Sequence, residues 1–204
     1  MKKKILIATT LAGLLVPAIA SAELNYNAIE ASYAQTSQSG WPDANEFDLN
    51  ASYGITKNVY LDGTFATASQ PSGTPFGDIT AHAFEFGAGY HTPLRSNVDL
   101  IVAGHLIEGT ASYAGSSYNS NGYNIGVGVR AELTPELEGM LSAVHTSVSG
   151  NSSTTTSNGI QAQLGYKVAQ QVQLFAGLGS DSNSPGTGGS YDTQTLFFGA
   201  RFYY

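Results

Sequence analysis

Polar and apolar residues alternate along most of this chain after residue 22, and such alternation is typical of a β-strand with two chemically different faces. Residues 46–54 and 123–133 show it most clearly, because every second side chain there is apolar or aromatic. The pattern predicts ten strands, at residues 24–35, 46–55, 58–68, 81–91, 98–108, 122–133, 137–147, 158–168, 171–180 and 193–204. Strand 98–108 is the least regular, since Ile101 and Ile107 fall on its polar face.

The connections between these strands alternate in length. Short links fall at residues 54–58, 92–97, 134–136 and 169–170. Longer segments rich in Ser, Thr, Asn and Gly fall at residues 36–45, 69–80, 109–121, 148–157 and 181–192. Membrane barrels have short turns on the periplasmic side and longer loops outside. We therefore expect an all-β fold: an antiparallel up-and-down transmembrane β-barrel of ten strands, with eight as the alternative, and with both termini in the periplasm.

A soluble barrel that carries a ligand is the structural alternative, because alternation alone does not say whether the apolar face points inward or outward. A surface exposed to water is expected to carry roughly 25–35% charged residues. This chain has 11% charged residues in total, and its polar face consists mostly of Gly, Ser, Asn and Ala. That composition favours a crowded lumen over a face in contact with solvent.

Aromatic residues on the apolar face cluster near the strand ends, as in barrels that cross a lipid bilayer. Near the expected periplasmic ends these residues are Tyr53, Tyr90, Tyr166, Phe202 and Tyr204. Near the expected outer ends they are Tyr33, Phe47, Phe65 and Tyr123. The preference of aromatic residues for strands explains their presence but not this clustering. Two aromatic girdles around an apolar band are therefore predicted.

The N-terminal 22 residues have the organisation of a secretory signal peptide. Lys2, Lys3 and Lys4 precede an apolar run over residues 5–19, and residues 20–22 form a small-residue cleavage pattern. A membrane anchor is the weaker interpretation, because this run is shorter than the ~20 apolar residues of a spanning helix. We expect residues 1–22 to be cleaved and residues 23–204 to form the barrel in the outer membrane.

The composition of the remaining chain excludes several classes of partner. Five basic residues face fifteen acidic ones after residue 22, which gives a formal charge of −10. Such a charge disfavours binding to nucleic acid. The absence of Cys argues against a disulfide scaffold or a thiolate metal site. No cofactor is expected.

The C-terminal residues 199–204 end in a Gly-x-x-aromatic-x-aromatic pattern built on Gly199, Phe202 and Tyr204. This pattern resembles the signal by which the outer-membrane insertion machinery recognises bacterial barrels. With residues 24–33, 58–62, 126–133, 137–139 and 199–202, the chain resembles the small outer-membrane β-barrel proteins of Gram-negative bacteria, in the broad OmpA/OmpX-like sense. More narrowly, it resembles the signal-factor-regulated small proteins proposed as activators of plant immunity. The resemblance implies fold and compartment, and it implies no settled reaction.

Strand phase places a group of charged residues inside the barrel: Glu30, Asp48, Asp62, Glu85, Arg130, Lys167 and Arg201. Because an unpaired charge in a narrow interior is costly, such groups are usually paired. We hypothesise a packed ion-pair network in which Arg130 and Arg201 bind Glu30, Asp62 and Glu85. The alternative is a narrow polar conduit lined by the same groups. Ten strands lie nearer to the filled eight-stranded barrels than to sixteen-stranded channels, which favours the network.

Catalytic and metal sites have weak support in the sequence. His145 and Ser147 resemble the His-x-Ser of lipid A deacylases, but a nucleophilic site needs an orienting acid within reach, and the next acid along the chain is Asp181. His82, His91 and His105 lie on different strands and at different depths, whereas a metal site needs convergent ligands. No metal site is predicted.

The outer loops are the other candidate surface, because they hold aromatic residues among small polar ones, such as Trp41, Tyr113, Tyr118 and Tyr191. Such surfaces make adaptable contacts with a ligand. We expect a monomeric barrel with a structural or surface-interaction role and no catalysis, in contact with outer-membrane lipid and lipopolysaccharide. The alternative is a narrow low-conductance porin with a charged lumen, and a remote one is a lipid-modifying enzyme.

Overall fold

The computed structural model describes residues 27–72, 78–95, 97–150, 153–186 and 188–204. Within these ranges the chain forms ten antiparallel strands, each paired with its neighbours in sequence, and β1 pairs with β10 to close the barrel. The strands are β1 (Ala28–Gln38), β2 (Ala44–Gly54), β3 (Val59–Gln70), β4 (Ile79–Arg95), β5 (Val98–Tyr113), β6 (Ser116–Glu132), β7 (Leu137–Gly150), β8 (Ser153–Ala169), β9 (Val172–Pro185) and β10 (Tyr191–Tyr203). The prediction of a ten-stranded barrel is confirmed. The predicted signal peptide, residues 1–22, lies outside the described residues, so its cleavage stays a prediction.

The two ends of the barrel differ in their connections. One end, here called the termini end, holds Asn27, Tyr204 and the links that follow β2, β4, β6 and β8. The other end, here called the loop end, holds the links that follow β1, β3, β5, β7 and β9. Which end faces the periplasm stays a prediction.

Side-chain burial alternates along the strands in the phase that the sequence predicts. On β2, Phe47 and Leu49 are 48% and 46% exposed, whereas Glu46 and Asp48 are 4% and 5% exposed. The apolar face therefore points outward and the polar face points into the lumen, as in a barrel surrounded by lipid. Closure leaves no strand edge, so the backbone polar groups at membrane depth are paired within the sheet.

The irregular strand of the sequence analysis has its large apolar residues inside the lumen. Ile101 is 2% exposed and packs against Tyr60 of β3, while Ile107 is 4% exposed and packs against Val148 of β7. These contacts join strands that are not neighbours in the sheet. The break in the alternation of β5 is thus a packing feature of a filled lumen.

The strands extend further towards the loop end than predicted, so the predicted loop boundaries are wrong. β5 and β6 replace most of the predicted loop 109–121, and the turn between them consists of Ala114 and Gly115. Both have positive φ, 52° and 75°, as two-residue hairpin turns of type I′ require. Likewise β7 and β8 cover most of the predicted loop 148–157. Most residues of these segments are polar on both faces, so the segments lack the alternation although their ladders continue.

The outward aromatic residues bracket a band that is shorter than the strands. On β6, Tyr123 is 43% exposed and lies in mid-strand, and the outward residues beyond it are Asn121, Asn119 and Ser117. A tilted transmembrane strand needs only about 9–11 residues. The part of this hairpin at the loop end therefore projects beyond the apolar band. All nine predicted girdle residues are exposed on the outer face: Tyr33, Phe47, Tyr53, Phe65, Tyr90, Tyr123, Tyr166, Phe202 and Tyr204.

Glycines on the inner wall make room for the largest inward side chains. Gly89 lies opposite Tyr60 in the ladder, and a Cβ atom there would lie 1.8 Å from the tyrosine ring. A Cβ atom at Gly199 would lie 2.4 Å from the ring of Phe175, which is its ladder partner. Each ring thus lies flat across the neighbouring strand. The Gly-rich inner wall allows a small barrel to be filled by side chains.

Candidate functional site: the lumen of the barrel

The inward side chains of the described strands fill the lumen. Arg130 and Arg201 are each 1% exposed, and Tyr60 and Gln173 are fully buried. Water in a continuous channel would leave such side chains accessible. The inward polar groups are therefore parts of a packed interior, and their chemistry is set by the side chains that they contact.

Arg201 lies at the centre of a cluster near the termini end. Its Nη2 lies 2.7 Å from Oε2 of Glu30, and its Nε donates a hydrogen bond of 2.8 Å to the same oxygen. Its Nη1 donates to Oε1 of Gln173 at 2.7 Å and to the hydroxyl of Tyr203 at 3.2 Å. The pairing of Glu30 with Arg201 follows from the strand closure, because the two residues are partners in the β1–β10 ladder. Two strands that close the sheet are thus joined by a partly buried ion pair.

Arg130 belongs to the same cluster through a different acid. Its Nη2 pairs with Oε2 of Glu138 and donates to the hydroxyl of Tyr203 at 3.3 Å. Nη1 of Arg201 lies 3.8 Å from the other oxygen of Glu138, so Glu138 and Tyr203 lie between the two guanidinium groups. We call these six residues the arginine cluster: Glu30, Arg130, Glu138, Gln173, Arg201 and Tyr203.

The hypothesis that Arg130 binds Glu30, Asp62 or Glu85 is therefore wrong in its choice of partners. Glu138 is 3% exposed and was missed, although it is the second residue of the strand predicted at 137–147. Its inward phase was readable from the alternation. Its contact with Arg130 was also predictable, because β6 and β7 are adjacent strands. Glu138 is the ladder partner of Glu132, which lies two residues from Arg130 on β6.

Aromatic rings lie above the arginine cluster on the side of the loop end. Phe175 follows Gln173 as the next inward residue of β9, and its ring centroid lies 5.5 Å from Cζ of Arg201. Phe197 and Ala34 pack against Phe175. A guanidinium beside a ring face gains cation–π attraction, and the rings exclude water from the ion pairs. The arginine cluster is thus sealed on this side.

A second cluster crosses the lumen between β3, β4, β5 and β6. Nε2 of His105 lies 2.9 Å from Oδ2 of Asp62, and its Nδ1 lies 2.7 Å from Oδ1 of Asn124. Nδ2 of Asn124 donates to Oε2 of Glu85 at 2.8 Å. These four residues, here called the histidine cluster, contain Asp62 and Glu85, which the sequence analysis assigned to the arginines. His105 and Asn124 were missed because strand phase alone does not tell which inward residues meet.

The remaining predicted lumen residues lie apart from both clusters. Asp48 is buried and accepts a hydrogen bond of 3.1 Å from the hydroxyl of Ser32. Lys167 lies at the end of β8, where its Nζ is 3.2 Å from Glu132, and both side chains are about a quarter exposed, at 25% and 30%. The assignment of Lys167 to the lumen network is wrong, because the last inward position of a strand falls at the rim. It forms a surface ion pair.

Towards the loop end the inner wall carries hydroxyl and amide groups. The hydroxyls of Thr36 and Thr195 are 2.8 Å apart, and Asn183 donates to the hydroxyl of Thr193 at 3.3 Å. These neutral contacts continue the packed interior into the projecting part of the barrel. The buried acids Glu46 and Asp181 lie on the same part of the inner wall.

His145 lies on the outer face, where its Nδ1 is 2.9 Å from Oδ1 of Asn158 and its ring is 6.3 Å from that of Tyr123. In the described ranges, no group of three His, Asp or Glu side chains could hold a metal ion. Over the same residues, no helix is long and apolar enough to cross a membrane.

Comparison with known proteins identifies relatives at the level of family and fold. The family model of the outer membrane protein beta-barrel domain matches residues 6–167. An outer-membrane channel from Pseudomonas putida F1 has a TM-score of 0.59 and 13% identity, and the match covers 92% of this chain and 100% of that chain. This likeness shows the fold alone. No curated protein sequence matches the chain.

Two further solved structures cover the chain at TM-scores below 0.5. Neisserial surface protein A has a TM-score of 0.44 and 20% identity, over 87% of this chain and 95% of that chain. The outer membrane protease OmpT from Escherichia coli has a TM-score of 0.48 and 8% identity, over 92% of this chain and 99% of that chain. The narrower resemblance to proposed activators of plant immunity stays a prediction.

Proposed function

Since the chain belongs to the outer membrane protein β-barrel domain family, we propose that it is an outer-membrane protein with a structural or surface-interaction role and a lumen that its own side chains seal. The observation that carries this proposal is the burial of the inward charged and aromatic residues. Arg130, Arg201 and Glu85 are each 1% exposed, and Tyr60 is fully buried. Ten strands are near the size at which side chains fill the interior.

The orientation and the export route form part of the proposal. Residues 1–22 direct export and are removed, and the termini end then faces the periplasm. Supporting this orientation, the links of the termini end are short, as periplasmic turns are. Gly199, Phe202 and Tyr204 serve as the signal for the insertion machinery. Phe202 and Tyr204 are 46% and 49% exposed on the outer face, so they are accessible to a partner protein or lipid.

The projecting loop end is the proposed interaction surface. It contains the strand ends and links within the segments 36–45, 69–80, 109–121, 148–157 and 181–192. Tyr113, Tyr118 and Tyr191 are half-buried there, so their rings are held by the hairpins and remain partly accessible. Rigid aromatic residues among small polar ones suit contact with lipopolysaccharide or a surface ligand. The outward apolar band contacts membrane lipid.

The absence of catalysis is also part of the proposal. The inward His105 and Asp62 are close enough for acid–base chemistry, but they are 5% and 3% exposed and lie in a filled lumen. A general acid or base must reach the proton of a bound substrate. On the outer face, His145 is hydrogen-bonded to the neutral amide of Asn158.

Single-channel recording tests the proposal. The refolded barrel in a planar bilayer should give no discrete conductance steps, because the aromatic and charged layers close the lumen. Removal of two sealing rings, Tyr60→Ala with Phe175→Ala, should create a leak. The matched pair Tyr53→Ala with Phe86→Ala removes rings of the outer face, which are 57% and 52% exposed, and should remain silent. Discrete conductance of the unmodified barrel would favour the narrow pore instead.

A further inference from the structure

The histidine cluster is a continuous hydrogen-bonded chain across the lumen. It runs from Asp62 on β3 through His105 on β5 and Asn124 on β6 to Glu85 on β4, with distances of 2.9, 2.7 and 2.8 Å. All four residues are at most 5% exposed. Two of the three contacts pass over an intervening strand, so the chain ties together strands that are not neighbours in the sheet.

The hydrogen-bond donors and acceptors of the histidine cluster determine which of its atoms carry protons. The amide nitrogen of Asn124 donates to Oε2 of Glu85, which fixes the orientation of the amide group. The amide oxygen then faces Nδ1 of His105 and can only accept, so Nδ1 carries a proton. Nε2 faces the carboxylate of Asp62 and carries a proton for the same reason. A ring with both nitrogens protonated is an imidazolium.

We propose that His105 is a buried imidazolium that holds the middle of the lumen together, and that the barrel loosens when this cation loses its proton at alkaline pH. Loss of the proton would leave a ring nitrogen facing an acceptor on one side. The carboxylate of Asp62 would then lack the cation that lies 2.9 Å from it.

The groups that face His105 from the surrounding strands are mostly acidic, so its proton affects the stability of their packing. Asp62 approaches from β3 and Glu85 from β4, while β6 contributes the neutral Asn124. Behind Glu85, β2 contributes the buried acids Glu46 and Asp48. His105 is therefore a cation set among acidic side chains. An unpaired buried charge is strongly destabilising, so each of these acids depends on its partners.

A glycine on the neighbouring strand leaves the space that the His105 ring occupies. Gly87 is the ladder partner of His105 on β4, and a Cβ atom there would lie 2.2 Å from Cδ2 of the ring. The ring thus lies across Gly87 and reaches Asp62 on the next strand. Any other residue at position 87 would push the ring away from Asp62.

His145 provides a matched reference within the same chain. Its Nδ1 also lies 2.9 Å from an asparagine oxygen, that of Asn158. His145 points to the outer face, however, and its ring neighbour is Tyr123. Both histidines contact the side-chain oxygen of an asparagine, and His105 in addition contacts the carboxylate of Asp62.

Nitrogen-15 NMR of the imidazole rings tests the proposal on the refolded, full-length barrel in detergent. Both nitrogens of His105 should show protonated chemical shifts at pH values well above the ~6.5 pKa of a free imidazole. Asp62→Asn should move the deprotonation of His105 to a lower pH. Deprotonation of His105 at or below the pKa of a free imidazole in the unmodified barrel would overturn the proposal, and that spectrum needs no variant that could fail to fold.

The pH dependence of unfolding is a second readout. The temperature at which the barrel loses its folded mobility in gels should fall as the pH rises through the deprotonation of His105. His105→Gln should lose this alkaline fall, whereas His145→Gln should keep it. An alkaline fall of the same size in His105→Gln would show that other groups cause it and would contradict the proposal.

Discussion

Gly89→Leu should prevent the barrel from closing, and Gly89→Ala should lower the free energy of unfolding by about 1–3 kcal/mol, the range for inserting atoms into a packed core. A Cβ atom at position 89 would lie 1.8 Å from the ring of Tyr60. That ring is fully buried and packs against Ile101, so it has little room to move aside. Urea titration of the refolded barrel, with the folded fraction read from gel mobility, measures the effect.

A glycine on the other face of the wall serves as the control. Gly104 is exposed on β5, and the nearest atom to a Cβ there would be 3.7 Å away. Gly104→Ala should therefore change stability by less than about 0.5 kcal/mol, as surface substitutions usually do. Combining Gly89→Ala with Tyr60→Ala should cost less than the sum of the single changes, because the ring that clashes is gone. Equal costs for the two glycines would contradict this account of the inner wall.

Arg201→Met should lower the free energy of unfolding by up to about 3–5 kcal/mol, the range for breaking a fully buried ion pair, because the guanidinium is buried while Glu30 is 17% exposed. The change leaves Glu30 without its 2.7 Å partner and removes a donor from Gln173. It also leaves Glu138 with Arg130 as its remaining basic neighbour. Because Glu30 and Arg201 join β1 to β10, we expect the lost stability to appear as earlier opening of the closing seam. Hydrogen exchange of the β1 and β10 amides measures that opening.

The ion pair at the rim provides the comparison for this prediction. Lys167 and Glu132 are 3.2 Å apart but partly exposed, and exposed pairs contribute about 0–1 kcal/mol. Lys167→Met should therefore have a small effect on the same titration. Adding Glu30→Gln to Arg201→Met should recover part of the loss, since it removes the unpaired charge. If Arg201→Met and Lys167→Met were equally mild, the arginine cluster would not stabilise the barrel.

The strands were readable from the sequence because a wall between lipid and a polar lumen imposes alternation on every strand that spans the bilayer. The apolar side chain of Phe47 predicts that it faces outward, and the charged side chain of Asp48 predicts that it faces the lumen. In the structure Phe47 is exposed and Asp48 is buried. The projecting strand ends were not readable. Residues 153–157 are polar on both faces because one face meets the lumen and the other meets water, so the sequence there looks like a loop.

The partners inside the lumen were only partly predictable. Glu30 and Arg201 could be matched because the first and last strands must close the sheet. Asp62 and His105 could not be matched, since their contact passes over Gly87 on the strand between them. Which inward residues meet across a barrel depends on the stagger of the strands and on the space that glycines leave. The alternation predicts whether a side chain faces the lumen or the lipid. It does not predict how far along the barrel axis the side chain lies or how far it extends across the lumen.

A single cysteine in the lumen tests the sealed interior most directly, because the natural chain contains no Cys. Ser142 is an inward residue of β7 that is 3% exposed, and Ser190 is exposed at the loop end. A small, water-soluble thiol reagent should label Ser190→Cys rapidly in the refolded barrel and leave Ser142→Cys unlabelled until urea unfolds it. Labelling of Ser142→Cys in the folded barrel at the rate of Ser190→Cys would show water in the lumen and contradict the sealed barrel.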